Sequence, residues 1–325
     1  MSVLLEVQDL VVDYLTPSRV IRAVDNVSFD VEQGEIVGLA GESGCGKSTT
    51  AHAILRLLRP PAEITAGRVI FDGTDLLAID QRRLQDFRWR NVSIVFQSAM
   101  NALNPVITVG DQFLDMFHAH AKISNKQALE KSAELLRLVG IDPSRLKCYA
   151  HELSGGMRQR VIIALALALD PNLIIMDEPT TALDVVVQRD ILQEIQELQR
   201  RQHFAVLFIT HDLSLLVEFS DRIAIMYAGK IVEFAPAQEL FRQPQHPYTV
   251  GLMESFPALT GAKRALVGIP GSPPDLGAPP SGCRFHPRCP KVMPICSGVE
   301  PRLAAHVPGH LTACHLYPLA LDKTA

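Results

Sequence analysis

The sequence predicts an α/β fold built on a mainly parallel sheet, and three observations carry that expectation. Short apolar runs rich in Val, Ile and Leu alternate with amphipathic stretches over roughly the first 235 residues, the pattern of strands exchanging with helices. The run "GEIVGLA" at 34–40 is, after Glu35, apolar on both alternating sets of positions, as a strand covered on both faces must be. An apolar fraction of 47% supplies enough side chains for a large core and argues against disorder.

At 325 residues the chain is long for one domain and has room for two. Its net charge of −4 gives no general electrostatic reason to bind nucleic acid, and no nucleic-acid partner is expected. The cluster Arg82, Arg83, Arg88 and Arg90 reads as a solvated face. The opening "MSVLLEVQDLVVDY" carries Glu6 and Asp9 and alternates like a strand, unlike a signal peptide. The most apolar run, "VIIALALAL" at 161–169, is too short to cross a bilayer. These features place the chain in the cytoplasm, where thiols stay reduced.

Element by element, residues 4–14 and 20–32 alternate as strands around turn residues Thr16-Pro17-Ser18, and 34–40 follows as a buried strand. A glycine-rich turn leads into the helical pattern "KSTTAHAILRLL", and "VIFDGTDL" is a further strand and turn. Residues 127–140 form an amphipathic helix ending at Gly140, and a second helix runs from near Ser154 to about Leu169. "NLIIMDEP" is a buried strand, "VQRDILQEIQELQRRQ" a helix, "AVLFITHD" a strand and "RIAIMYAGKIVEF" a hairpin. Composition changes near Phe234. Most of the 22 prolines lie beyond it, so 236–325 reads as an appended segment of little regular structure that needs an internal staple. Within it "HPYTVGLMESFP" offers one short helix, with Pro247 suited to its first turn and Pro257 closing it. The proline-rich stretch 269–282 alternatively reads as a linker.

The stretch "GESGCGKST" at 41–49 fits G-x-x-x-x-G-K-[ST] between a strand and a helix, the setting that a phosphate loop requires. Gly41, Ser43, Gly44, Cys45 and Gly46 form the loop around the nucleotide, with no chemistry assigned to the Cys45 thiol. Gly44 and Gly46 allow the backbone N–H groups to turn inward on an anion, and the helix N-terminus adds its dipole. Lys47 is placed to reach the β- and γ-phosphates, Ser48 to ligate Mg²⁺ and Thr49 to bond the α-phosphate. The strand "LIIMDE" at 173–178 ends in two carboxylates that alternation sends to opposite sides. Asp177 is assigned to Mg²⁺ and Glu178 to polarising the attacking water.

A phosphate loop, then "LSGGMRQR" at 153–160, then the apolar strand ending in Asp-Glu, then "ALD" at 182–184, then His211 in "ITHD" is an order that resembles the ABC-transporter ATPases over about residues 4–235. The resemblance implies a P-loop NTPase fold with an antiparallel β subdomain and a helical subdomain at about 97–165. It implies that Gln97 in "IVFQ" contacts Mg²⁺ and senses a membrane subunit, that Tyr14 stacks on adenine, and that His211 contacts the γ-phosphate. Ser154, Gly155 and Gly156 open a helix and so present a hydroxyl and unbonded N–H groups to an anion. The resemblance implies that this anion is the ATP of a second, homologous ATPase stacked head to tail. Binding then closes the pair and hydrolysis reopens it.

The segments "HPYTVGLMESFPAL", "IPGSPPDL" and "GCRFHPRCP" resemble the C-terminal extension of ATPase subunits from oligopeptide, dipeptide and nickel importers, over roughly 235–317. Four of the six cysteines fall here, spaced C-x5-C-x6-C-x17-C, unlike the C-x2-C knuckle of common zinc ribbons. Reduced thiols so grouped favour a metal. Four thiolates suit Zn²⁺ or a [4Fe–4S] cluster, with free thiols or an adventitious disulfide as the alternative. The resemblance implies a [4Fe–4S] cluster on Cys283, Cys289, Cys296 and Cys314, with His286, His310 and His315 outside the ligand set. Cys148 reads as a plain small residue. The cluster is expected to be structural, with a redox sensor as the sharper alternative.

The expected protein is therefore an ATP-hydrolysing subunit, peripheral on the cytoplasmic face of the membrane, that powers an ABC importer for peptides or related solutes. Its expected partners are a different but homologous ATPase, two transmembrane permease subunits reached through a groove around 97–110, and indirectly an extracytoplasmic solute-binding protein. A soluble ABC ATPase of translation or DNA repair is the first rival, although neither tandem cassettes nor a coiled-coil insertion is visible. The second rival is a non-catalytic metal-cluster regulator, opposed by the intact Lys47, Glu178 and His211.

Overall fold

In the computed structural model, residues 2–97, 102–179, 183–255 and 268–317 are described. The elements run β1 (Val3–Leu15), β2 (Val20–Glu32), β3 (Ile36–Ala40), α1 (Lys47–Ile54), β4 (Ala62–Phe71), β5 (Thr74–Asp75), α2 (Gln81–Phe87), β6 (Val92–Val95), α3 (Val109–His120) and α4 (Asn125–Leu138). They continue as α5 (Gly155–Leu167), β7 (Leu173–Asp177), α6 (Val185–Gln202), β8 (Ala205–Ile209), α7 (Leu213–Phe219), β9 (Arg222–Tyr227), β10 (Lys230–Pro236), α8 (Ala237–Arg242), α9 (Pro247–Glu254), β11 (Ala304–Val307) and β12 (His310–Thr312). The chain divides into two units. One comprises Met1–Ser2, Glu32–Glu35 and Ala78–Phe208; the other comprises Val3–Val31, Ile36–Leu77 and Ile209–Ala325.

The second unit, hereafter the loop unit, holds a four-stranded sheet in the order β2-β1-β4-β5, with β1 antiparallel to β4 from Leu5↔Phe71 to Tyr14↔Ala62. Beside it β3 runs parallel to β9, pairing Val37 with Arg222 and Ala40 with Ile225. The expected hairpin is present, as β9 and β10 pair antiparallel. All five residues of β3 are buried, which is why the sequence there lacks polar alternation. Leu5, Leu10, Leu39, Ile54, Tyr227, Tyr248 and Phe285 are among its fully or almost fully buried core side chains.

The extension is more integrated than its proline content suggests. Strands β11 and β12 continue the sheet from β10, with Glu233 paired to Thr312 and Phe234 to Leu311. The helix α9 begins at Pro247 as expected; Pro257 lies outside the described residues. The tail has few long apolar runs because its strands are three and four residues long and lean on an existing edge.

The other unit, hereafter the helical unit, sets β6 parallel to β7, Val92 opposite Leu173 and Val95 opposite Met176, with β8 next in order. Its helices start at side-chain caps. Thr108 and Asp111 form a capping box on α3, and Ser124 and Gln127 form one on α4; Ser154 caps α5 and Asp184 caps α6. Each cap satisfies N–H groups that the first helical turn leaves without an intrahelical acceptor. Phe113, Phe117, Leu135, Leu136 and Ile163 are buried in this unit. Arg82 and Arg83 are exposed on α2, as a solvated face requires.

Candidate active site

In the loop unit, residues 41–46 connect β3 to α1. Gly44 and Gly46 take φ of 79° and 111°, and a Cβ on Gly46 would come within 2.4 Å of the Ala23 carbonyl oxygen. Only glycine fits that position. Lys47 is buried at the start of α1 and donates from Nζ to the carbonyls of Gly41 at 2.7 Å and Glu42 at 3.1 Å. The ammonium therefore waits inside the loop on neutral acceptors, which an incoming phosphate can outcompete as a charged one. Ser48 and Thr49 lie in the first turn of α1, and Tyr14 Oη lies 3.3 Å from Thr49 Oγ1. Cys45 is buried, and burial pushes its thiol pKa up despite the Lys47 charge nearby. That leaves it without the thiolate character of a reactive cysteine. His211 follows β8 and is exposed, while Thr210 N–H bonds the Leu39 carbonyl at 3.4 Å.

In the helical unit, Asp177 is buried at the end of β7, and Glu178 is half-buried with a positive φ of 46°. A non-glycine residue in the left-handed region is uncommon, and such residues gather at functional sites. Gln97 Nε2 donates to Glu178 Oε2 at 2.8 Å, joining two residues expected to serve one reaction. The parallel register explains the meeting, since each lies two residues beyond a paired position, Val95 opposite Met176. Ser154 Oγ accepts from Met157 N–H at 3.3 Å, so the signature serine caps its own helix. Its hydroxyl proton can still be donated to a second acceptor. Residues 98–101 of the expected groove, and Ala182 of the "ALD" motif, lie outside the described residues.

The four tail cysteines are in the loop unit, and none of the six cysteines is joined in a disulfide. Burial pushes Cys283 up to about 11, with Cys296, Cys314 and Cys289 close enough to add to the effect. Cys289 and Cys314 are also raised, first by burial, and each is within electrostatic range of Cys296. The nearby backbone of Phe285, Lys291 and Leu316 offsets part of the rise at Cys283, Cys289 and Cys314 respectively. Cys283 N–H also bonds the Cys296 carbonyl at 2.8 Å. Among the described residues no three His, Cys, Asp or Glu side chains come together as ligands of one ion. Four thiols in one stretch of tail supply the soft donor type that a thiolate-held metal group uses, without the ligand grouping of a single ion. His286 and His315 bond carbonyls, of Cys283 and Val299, and His310 bonds Glu233 at 2.6 Å.

Sequence reasoning missed the role of Glu42, Tyr248 and Arg288. Tyr248 Oη accepts from Glu42 N–H at 2.9 Å, and Arg288 grips the Glu42 carboxylate. The partners stand 206 and 246 residues apart, and no local signal exposes such a pair.

A glycine loop carrying a buried lysine between a core strand and a helix, together with a paired Asp-Glu strand end, defines a phosphate-loop ATPase. Residues 24–181 match the ABC transporter family, and residues 232–296 match the oligopeptide/dipeptide transporter C-terminal region. The chain is 45% identical over 319 residues to the dipeptide transport ATP-binding protein DppD of Bacillus subtilis, covering 97% of this chain and 95% of that protein. It is 43% identical to the oligopeptide transport ATP-binding protein OppD of Salmonella typhimurium, covering 96% and 93%. A dimeric ATP-binding cassette solved in a post-hydrolysis state with ADP and Pi is 28% identical, with a TM-score of 0.64 over 72% of this chain and 98% of that one. The chain belongs to the ATP-binding subunits of the ABC transporter family and is an ATPase whose hydrolysis powers transport.

Proposed function

We propose that this chain is the ATP-hydrolysing subunit of an importer for peptides, acting from the cytoplasmic face of the membrane. The observation that carries the reading is that the phosphate loop and the oligopeptide-type extension are parts of one folded unit, tied at Glu42. No helix among the described residues is long and apolar enough to cross a membrane; in this reading permease subunits supply the path, as the transporter relatives suggest. The names of the dipeptide and oligopeptide relatives support the solute class, and the dimeric cassette supports pairing with a second, homologous ATPase. Residues 1–235 serve as the ATPase domain, with a helical subdomain near 97–165, and 236–325 as the extension.

In this reading Gly41, Ser43, Gly44, Cys45 and Gly46 cradle the phosphates through backbone groups, Lys47 transfers from its carbonyls to the β- and γ-phosphates, and Thr49 bonds the α-phosphate. Ser48, Gln97 and Asp177 are hard oxygen donors suited to hold Mg²⁺. Glu178 orients and polarises the attacking water, Gln97 holds the Glu178 carboxylate until then, and His211 senses the γ-phosphate. Tyr14 stacks on adenine. Ser154, Gly155 and Gly156 bind the ATP of the partner ATPase through a helix N-terminus. Hydrolysis removes the charge that holds the pair closed.

Cys283, Cys289, Cys296 and Cys314 would hold a [4Fe–4S] cluster, which supplies a covalent staple for a tail with little core of its own. The mutual electrostatic range of the four sulfurs supports this.

Reconstitution with permease subunits, a second ATPase and a solute-binding protein tests the reading. ATP-dependent uptake of labelled di- and oligopeptides is expected, and uptake of other solutes with none of peptides would refute the solute class.

A further inference from the structure

Every polar group of Glu42 has a partner. Its N–H donates to Tyr248 Oη at 2.9 Å, and its carboxylate receives Arg288 Nη1 at 2.7 Å and Nη2 at 2.9 Å. Its carbonyl accepts from Lys47 Nζ at 3.1 Å and from Cys45 N–H at 3.3 Å. Two of these four partners come from the extension, and a third is the lysine that ATP recruits.

The extension side of the contact is itself held from several sides. Arg288 is only 8% exposed. Its Nε donates to the Pro270 carbonyl at 2.8 Å, and its Nη1 to Tyr227 Oη at 3.3 Å. Its guanidinium lies 5.8 and 6.0 Å from the Tyr227 and Phe285 ring centroids. Tyr248 is fully buried against Tyr227 and Phe285. A forked guanidinium–carboxylate pair fixes direction as well as distance. Glu42 is therefore set from behind, and so is the carbonyl on which Lys47 rests.

We propose that Arg288 is a positioning residue for ATP, acting through Glu42 and seconded by Tyr248, so that the extension sets the nucleotide affinity of the phosphate loop. Arg288 touches no nucleotide itself. The inference rests on the ATPase assignment and is independent of which group the cysteines hold.

A mere anchor for the tail lowers melting temperature and leaves nucleotide constants alone; a positioning residue moves them. The test compares Arg288→Ala, Arg288→Lys, Glu42→Gln, Tyr248→Phe and the Arg288→Ala/Glu42→Gln double variant in the full-length chain within its purified transporter. KM and kcat for ATP are read together with Kd for a fluorescent ATP analogue. Arg288→Ala and Glu42→Gln are each expected to raise KM and Kd at least fivefold, with kcat changed less. The double variant should be no worse than the more severe single one, because both break the same pair, and Arg288→Lys should recover part of the loss. Should Arg288→Ala fail to fold, Glu42→Gln, with its fivefold rise, and Tyr248→Phe, with an expected rise of at least twofold, still decide. Constants unchanged in both, or additive effects in the double variant, overturn the proposal. Failure of the unaltered transporter to hydrolyse ATP is a separate result that overturns the ATPase assignment and this inference with it.

Discussion

Gln97 Nε2 donates to Glu178 Oε2 across 2.8 Å, so a residue just beyond β6 holds the carboxylate that follows β7. Both stand at the ends of paired parallel strands, and Glu178 keeps a left-handed backbone to present its side chain there. Replacing Glu178 by Gln is expected to lower steady-state ATP hydrolysis by about 10²-fold or more, the range of a lost general base. ATP binding should persist. Phosphate release and nucleotide retention measured on the same sample check this; undiminished turnover removes Glu178 from the reaction.

Ser154 offers a sharper separation of stability from activity. Its loss as an N-cap should cost about 1 kcal/mol, read as a small shift in the urea midpoint. Its loss as a donor to a partner's ATP should abolish most hydrolysis in the paired ATPases. Ser154→Ala activity close to that of the unaltered pair would confine the residue to capping α5.

The four thiols give a prediction independent of catalysis. Iron and acid-labile sulfide assayed on anaerobically purified protein are expected near four each per chain for a [4Fe–4S] centre. Cys289→Ser or Cys296→Ser should lose most of both and lower the melting temperature. One zinc per chain, or no metal with full thiol titration, would replace the cluster with its alternatives.

His246 supplies a pH signature. It is fully buried, accepts Tyr248 N–H at Nδ1 at 3.1 Å, and burial holds its pKa down to about 4, with the Glu233 carboxylate opposing in part. In the unfolded chain a histidine takes up its proton near 6.5. Between those values the unfolded state binds a proton that the folded state refuses, so stability falls as pH drops from about 6.5 to about 4. Above that window this group adds no pH dependence. Urea midpoints at pH 7.5, 6 and 5 should decline, and His246→Gln should flatten the decline while lowering stability at pH 7.5.

Phe285 joins the extension to the core. Its ring lies 5.2 Å from Tyr227, 5.4 Å from Tyr248 and 5.7 Å from His246, and the side chain is buried. Phe285→Ala should cost about 3–5 kcal/mol, visible by calorimetry. The loop unit and its tail should unfold in one transition; an early transition confined to the tail would show that the two do not share a core.

Much of this was legible locally. The run at 34–40, the hairpin around Ala228-Gly229 and the helix start at Ser154 follow from apolar period and capping chemistry, and each falls within a few residues of its element. The helix α3 is not among the elements read from the sequence, although Thr108 and Asp111 spell a capping box. Strands β11 and β12 gave little warning, since three- and four-residue strands carry too few positions for an alternation to show.

By itself the sequence determined the phosphate loop, the Asp-Glu strand end, the signature helix and the grouping of four cysteines. Each is a short pattern whose meaning lies in neighbouring residues and backbone freedom. Only the tertiary structure decided that Arg288 and Tyr248 seize Glu42, that Gln97 meets Glu178, and that the tail finishes a sheet. Those contacts join positions tens to hundreds of residues apart, and a chain reveals such pairs only once burial and strand register have brought them within reach of a hydrogen bond.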